Sequence, residues 1–170
     1  ELARRFVIAA TPDTREVVVI DADSGQFTTV ATPDPIDRIL LFPTGAATPP
    51  QTALLASLGP KLPRVHLLAL DGLTEELVRA DLRTIPLERP VLDVVPVPDR
   101  ELAMIVHDDD RTVLGLLDAG LGTVAPLQGV GRLDSYDFTS DGAYLVGITR
   151  GVDRVGVLDL DNLHPSDVRL

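Results

Sequence analysis

The chain has 170 residues, of which 45% are apolar and 24% charged, so its composition is that of one folded domain and not of a disordered segment. Its net charge of −11, with scattered arginines and Lys61 as the only lysine, argues against a nucleic-acid partner because an acidic surface repels phosphate. The absence of cysteine excludes disulfides and thiol catalysis, and no apolar run approaches the roughly 20 residues that span a bilayer.

Short apolar runs rich in β-branched residues follow one another along the chain, separated by proline, glycine and aspartate, which indicates strands joined by tight turns. One segment, Leu73–Arg83, has apolar residues at near-helical spacing, but its place in the chain favours an outer strand. In chain order, the predicted strands are Phe6–Ala10, Val17–Ile20, Phe27–Ala31, Ile36–Phe42, one starting at Leu54, Val65–Leu70, Leu77–Arg83, Val91–Val97, Leu102–Val106, Val113–Leu117, Thr123–Leu127, Leu133–Thr139, Tyr144–Ile148, Val155–Leu158 and Val168–Leu170.

Four of these strands end in an apolar residue followed by aspartate, and the four aspartates mark an internal repeat. They are Asp21, Asp71, Asp118 and Asp159, which lie 50, 47 and 41 residues apart. Four strands in each copy at this spacing are typical of β-propeller blades, which bury their faces by stacking around an axis. The aspartates have a mechanical role in this interpretation, since their carboxylates can accept backbone N–H groups in the turn that follows.

Several segments carry a family resemblance. The stretch Asp137–Val146 resembles the F-S-P-D-G-x-x-L-x-V junction of bacterial YVTN-type and WD-repeat-like propellers, and Arg15–Gly25 resembles the strand and turn that follow it. Asp153–Asp159 is similar to that strand again, whereas Pro98–Val106 and Arg64–Asp71 are weaker copies. The Gly-His and Trp-Asp signatures of WD repeats and the Y-V-T-N tetrapeptide are absent.

The predicted fold is therefore an all-β propeller segment over residues 1–170, with copies at about 5–32, 36–85, 90–128 and 133–170. The first copy begins at its second strand and lacks an inner one. Such families usually close with six to eight blades, so three interpretations stay open: part of a larger propeller, two copies that close one ring, or a four-bladed propeller. An open ring exposes two apolar blade faces, which predicts a homo-oligomer or a missing remainder of the propeller.

Three histidines are the first candidates for chemistry. His66 lies inside an apolar strand, His107 precedes the acidic run Asp108-Asp109-Asp110 at a predicted hairpin, and His164 precedes Pro165 in a predicted turn. A metal site needs three or four converging ligands, and neither His66 nor His164 has a partner at ligand spacing. Although a propeller can assemble a site from several blades, a structural or surface histidine is the favoured interpretation, as is a solvated turn for the acidic run.

Three further motifs are weak. The first, Asp21-Ala22-Asp23-Ser24-Gly25, is similar to the start of a calcium loop but lacks the distal glutamate. The second, Gly129-Val130-Gly131, lacks the strand-to-helix context of a phosphate loop. The third, Thr139-Ser140-Asp141-Gly142, places a serine next to an aspartate but has no histidine in sequence to complete a nucleophilic set, so a turn is the favoured interpretation. The sequence thus assigns no catalytic, cofactor-binding or metal-binding residue and predicts no cofactor.

The function that this pattern favours is a non-catalytic binding or scaffold module, whose loops contact a protein or a small ligand at one end of the propeller. The alternative is a metal-dependent hydrolase, because bacterial relatives of the repeat include lactone hydrolases with carboxylates and histidines along the central channel. Convergence of three or more such side chains around a metal would favour the hydrolase.

Overall fold

The computed structural model describes residues 6–11, 13–44, 50–59, 62–70, 81–107, 113–127, 132–149, 151 and 154–169. In this part of the chain, 15 strands form four antiparallel sheets. Sheet 1 contains β1 (Phe6–Thr11), β2 (Glu16–Asp21) and β3 (Phe27–Ala31); sheet 2 contains β4 (Arg38–Phe42), β5 (Thr52–Ala56), β6 (Arg64–Ala69) and β7 (Leu82–Pro86); sheet 3 contains β8 (Asp93–Pro96), β9 (Leu102–Val106), β10 (Leu114–Asp118) and β11 (Thr123–Leu127); sheet 4 contains β12 (Ser135–Phe138), β13 (Tyr144–Ile148), β14 (Arg154–Asp159) and β15 (His164–Arg169).

Every sheet is a meander in which each strand pairs with the strands next to it in sequence. This is the topology of propeller blades, and it confirms the predicted all-β fold. Sheet 1 has three strands among the described residues, and its β1 pairs with β2 from Phe6↔Asp21 to Thr11↔Glu16, as a blade without its inner strand would. No helix in the described part is long and apolar enough to cross a membrane.

The outer strand of sheet 2 differs from its prediction. It covers Leu82–Pro86 rather than Leu77–Arg83, and residues 77–80 lie outside the described part. The reason is packing: β7 pairs with β6 from Leu68↔Leu82 to Arg64↔Pro86, and this register places Ile85 inward, where only 5% of it stays exposed. His164 is the second difference, because it begins β15 instead of lying in a turn.

The chain divides into two compact units, residues 1–91 with sheets 1 and 2 and residues 92–170 with sheets 3 and 4. Each unit has its own aliphatic core, as a chain with 4% aromatic residues requires. The buried core of the first unit comprises Val17, Val19, Val30, Ile36, Ala53, Leu55, Leu68 and Leu70. The buried core of the second unit comprises Val97, Met104, Val106, Leu114, Leu116, Leu127, Leu133, Leu145, Leu158 and Leu160.

Each unit also has a sheet face with exposed apolar side chains. In sheet 1, Val7 is 53% exposed, on the face of β1 opposite to Phe6 and Ile8, which pack on the core. In sheet 4, Tyr144 and Ile148 are exposed on the face of β13 opposite to the buried Leu145. Such faces suit a neighbouring blade, and self-association of the chain stays a prediction.

Candidate functional site

The repeated aspartates close the turns between the last two strands of a sheet. Asp21 Oδ1 accepts the N–H groups of Asp23 at 2.8 Å and Ser24 at 3.2 Å, and Asp118 Oδ1 accepts that of Leu121 at 2.8 Å. Asp159 Oδ1 accepts two N–H groups in the same manner, at 2.9 and 3.1 Å. The mechanical interpretation is therefore confirmed at three of the four positions, and Asp71 lies outside the described residues.

The fourth residue after each of these aspartates has a left-handed backbone. It is Gly25 with φ 71°, Gly122 with φ 65° and Leu163 with φ 54°. A side chain makes this conformation costly by about 1–2 kcal/mol, and glycine avoids the cost. The turn of sheet 4 therefore carries a strain that the turns of sheets 1 and 3 do not.

This strain gives a testable stability difference. We expect Leu163→Gly to be more stable than Leu163→Ala by about 1 kcal/mol, because both variants lose the side chain and only glycine relaxes the backbone. Urea unfolding of the full chain measures the difference. At Leu121, which has no positive φ, the same pair of substitutions should show no advantage for glycine. An alanine variant at Leu163 as stable as the glycine variant would contradict the assignment.

The segment that resembles the propeller junction also forms a turn. The Thr139 hydroxyl donates to Asp141 Oδ1 at 2.6 Å, and the Ala143 N–H donates to the same oxygen at 3.0 Å. These two hydrogen bonds hold the pKa of Asp141 below its usual value. Both hydrogen bonds of the Asp141 carboxylate are thus made within the turn.

The remaining candidates do not converge in the described part. Asp108-Asp109-Asp110 and Gly129-Val130-Gly131 lie outside it, as does the side chain of His164. The ring of His107 lies against Gly115 of β10. Within the described residues, no group of three or more acidic or histidine side chains is placed to hold a metal ion.

A buried polar network that the sequence did not predict lies in the first unit, where the connection from sheet 1 meets sheet 2. Asp34, 3% exposed, receives both the Nε and Nη2 of Arg64. Its Oδ2 also lies 3.0 Å from Nε2 of His66, which is fully buried, and His66 Nδ1 lies 2.9 Å from the hydroxyl of Thr84 on β7. Arg64 holds the pKa of Asp34 below its usual value, and this effect outweighs burial, which raises it.

Carboxylate, imidazole and hydroxyl stand here in the order of a hydrolytic triad. An ionised carboxylate only accepts, so Nε2 of His66 donates to Asp34. However, the negative charge that would stabilise an imidazolium is already compensated by the Arg64 guanidinium. The arrangement therefore suits a structural network that satisfies buried groups better than a base that activates Thr84.

One feature of the sequence points to this network, the spacing of Arg64 and His66. Arg64 and His66 are two residues apart in a strand and so share one face of the sheet. Asp34 comes 30 residues before Arg64, in a connection between strands, and nothing local identifies it as their partner. The contact exists because the connection that leads into β4 packs against β6 of the same sheet.

The second unit contains a cleft between sheet 3 and the turn that joins β14 to β15. We call it the outer cleft; its volume is about 370 Å³. Its floor is apolar, formed by Leu102, Leu116 and Leu160, and Ala125 and Leu163 line its walls. Leu116 and Leu160 belong to the core and are 7% and 4% exposed, whereas Leu163 is 37% exposed. The leucines connect the cleft with the core of this unit, and the polar residues Arg100, Asp118, Thr123 and Asp161 complete its lining.

The rim of the outer cleft is charged. Arg100 from the turn between β8 and β9 donates Nη1 and Nη2 to the two carboxylate oxygens of Asp161, and its Nε donates to the Asp141 carbonyl at 3.3 Å. The hydrogen bond to Asp161 raises the pKa of Arg100, so the guanidinium stays charged. Asp118 completes the rim. The ion pair joins the turns of sheets 3 and 4 and fixes the opening at one end of both sheets.

Comparison with known proteins finds no matching family profile and no matching curated sequence. Three solved structures are similar in fold: hydrazine synthase of Kuenenia stuttgartiensis (TM-score 0.58, 16% identity), the mitotic checkpoint complex (0.56, 17%) and the dihydro-heme d1 dehydrogenase NirN (0.56, 17%). The matches cover 97%, 96% and 100% of this chain but 50%, 46% and 38% of those chains.

The chain thus spans half or less of each of these structures. They are propeller-type proteins and include both enzymes and an interaction complex, so the likeness extends to the fold and not to one activity. Together with the four meander sheets, the comparisons show that this chain has the fold of β-propeller blades.

Proposed function

We propose that this chain is a non-catalytic binding module of a β-propeller and that the outer cleft is its contact surface. The observation that carries the proposal is an apolar floor that opens at the turn end of the second unit. Leu163, 37% exposed, lines the cleft, and Leu121, 69% exposed, is in the turn between the lining residues Asp118 and Thr123. Exposed leucines beside a cleft with an apolar floor favour a bound partner, because binding removes them from water.

The polar side chains of the turns and of the buried network support the same function. The carboxylates of Asp21, Asp118, Asp141 and Asp159 accept backbone N–H groups in turns, and Asp34 is used by the buried network. Residues used in this way build a rigid scaffold that presents its turns to a partner. Function at the turns of a rigid sheet framework is a common design of binding modules.

Selection from a random dodecapeptide library displayed on phage, with the full chain as target, tests the proposal. We expect enriched peptides that bind the chain with submillimolar affinity in fluorescence anisotropy. Thr123→Trp puts a large ring on the exposed cleft wall, so this variant should lower the affinity of the selected peptides about tenfold or more. Thr29→Trp, at an exposed threonine on the outer strand of sheet 1, is the matched control and should not. Peptides that bind both variants equally would contradict the assignment of the cleft.

The alternative, a metal-dependent hydrolase of the lactonase-like propeller type, is open to a separate measurement. Calorimetric titration of the full chain with Ca²⁺, Mn²⁺ and Zn²⁺ detects a resident metal site directly. Stoichiometric binding of one of these ions, together with hydrolysis of a simple lactone that depends on it, would overturn the non-catalytic proposal.

A further inference from the structure

We propose that the outer cleft recognises an extended protein segment in which an apolar side chain lies next to lysine or arginine. This inference rests on the proposed function, since it names the chemistry of the partner that the cleft binds. Two separate properties of the cleft carry it: the apolar floor, which needs an apolar group to cover it, and the charge of the turns around the opening.

The turns at this end of the second unit are strongly acidic. Segments 97–102, 118–123, 139–144 and 159–163 are all described, and the ionic side chains among them are six carboxylates and one guanidinium. The carboxylates are Asp99, Glu101, Asp118, Asp141, Asp159 and Asp161. The guanidinium, Arg100, is already paired with Asp161, so the turn end keeps an excess of negative charge that a cationic segment complements.

Two of these carboxylates are close together beside the cleft. Glu101 Oε2 and Asp118 Oδ1 both lie against Gly120, at 2.5 and 3.5 Å from the point where its Cβ would stand. A lysine or arginine at this position would meet the negative charges of both carboxylates. Asp161 offers a further site, because its side chain is 60% exposed and a carboxylate can accept more hydrogen bonds than Arg100 donates.

The geometry also restricts the shape of the partner. Leucines of sheet 3 and of the turn after β14 line the cleft, together with two carboxylates from the turns of sheets 3 and 4, Asp118 and Asp161. A segment that crosses the opening therefore places one side chain inward and its neighbours on the rim, which is the alternation of an extended chain. A leucine or isoleucine flanked by basic residues satisfies both surfaces.

Binding of three synthetic peptides to the full chain, measured by calorimetry, tests this inference. The first is an acetylated hexapeptide with a leucine between two lysines, the second has glutamates in place of the lysines, and the third has serine in place of the leucine. We expect the first to bind at least about fivefold more tightly than either of the others, and its affinity to fall as salt increases.

Variants of the protein locate the interaction. Glu101→Gln should lower the affinity of the lysine peptide for the chain about twofold to fivefold. Glu16→Gln, at an exposed glutamate of sheet 1, should leave this affinity unchanged. If the lysine peptide and the glutamate peptide, which both contain leucine, bind in the cleft with equal affinity, the inference on the partner is wrong and the proposed function stands. If the library yields no peptide that depends on Thr123, both are overturned.

Discussion

Replacing Asp34 by alanine is expected to lower the free energy of unfolding by about 3 kcal/mol in urea titrations of the full chain at pH 7. The substitution leaves the fully buried His66 without the carboxylate at 3.0 Å from Nε2 and removes both hydrogen bonds of Arg64. Because the Arg64 side chain is 39% exposed, water can replace the lost carboxylate. The expected loss in the free energy of unfolding is therefore at the lower end of the range for removing one partner of a buried ion pair.

Asp37 provides a matched control in the same connection. It is exposed, and its carboxylate accepts the Leu58 N–H at 2.9 Å. Asp37→Ala should cost about 1 kcal/mol, the value of one ordinary hydrogen bond. A loss at Asp34 no larger than the loss at Asp37 would contradict the assigned role of the network.

Acid should reduce the contribution of Asp34. Because Arg64 lowers the pKa of Asp34 in the folded state, the stabilisation is present above the unfolded pKa of about 3.9. It is lost as the pH falls through the lower folded pKa. The stability difference between the wild type and Asp34→Ala should therefore shrink below about pH 4, and a difference that grows on acidification would contradict this linkage.

A double variant separates the carboxylate from its partner. His66→Leu removes the buried imidazole that Asp34→Ala leaves unsatisfied, so the combined loss should be clearly smaller than the sum of the two single losses. Additive losses would mean that Asp34 and His66 stabilise the sheets independently.

Gly142→Ala is the second substitution with a large expected effect, a loss of about 3 kcal/mol in the free energy of unfolding. An alanine Cβ at this position would lie 2.3 Å from the Pro98 carbonyl oxygen and 2.9 Å from Cγ1 of Val97. The backbone there also has a φ of 65°. The left-handed conformation costs about 1–2 kcal/mol with a side chain, and the contact with rigid backbone adds an overpacking cost of about 1–3 kcal/mol.

Gly25 separates these two costs. It has a φ of 71°, and a Cβ there would meet nothing within 4 Å. Gly25→Ala should therefore lose only the conformational part, about 1 kcal/mol. Urea unfolding of Gly142→Ala and Gly25→Ala measures both losses. Equal losses would contradict the close contact of the turn at Gly142 with the turn at Pro98.

Local patterns predicted much of the fold. Strand β11 was predicted with its observed bounds, since alternation and flanking turn residues are properties of a few consecutive residues. The carboxylates of Asp118 and Asp159 were predicted to close turns because their partners are two or three residues away. The outer strand of sheet 2 was misplaced because the position of Ile85 depends on pairing with another strand.

No local pattern in the sequence predicts the outer cleft. Leu116 in strand β10 and Leu160 in the turn after β14 look like ordinary apolar residues, and only the packing of this turn against sheet 3 leaves an opening beside them. The ion pair of Arg100 with Asp161 joins residues 61 positions apart, and no local pattern marks it.

The sequence by itself determined the all-β class and most of the strands and turns, because hydrophobic alternation and side-chain-to-backbone hydrogen bonds act over a few residues. The tertiary structure alone decided the network around Asp34, the need for glycine at position 142 and the outer cleft. Each of these arises where segments far apart in the chain come into contact, and no pattern of a few consecutive residues sets those distances.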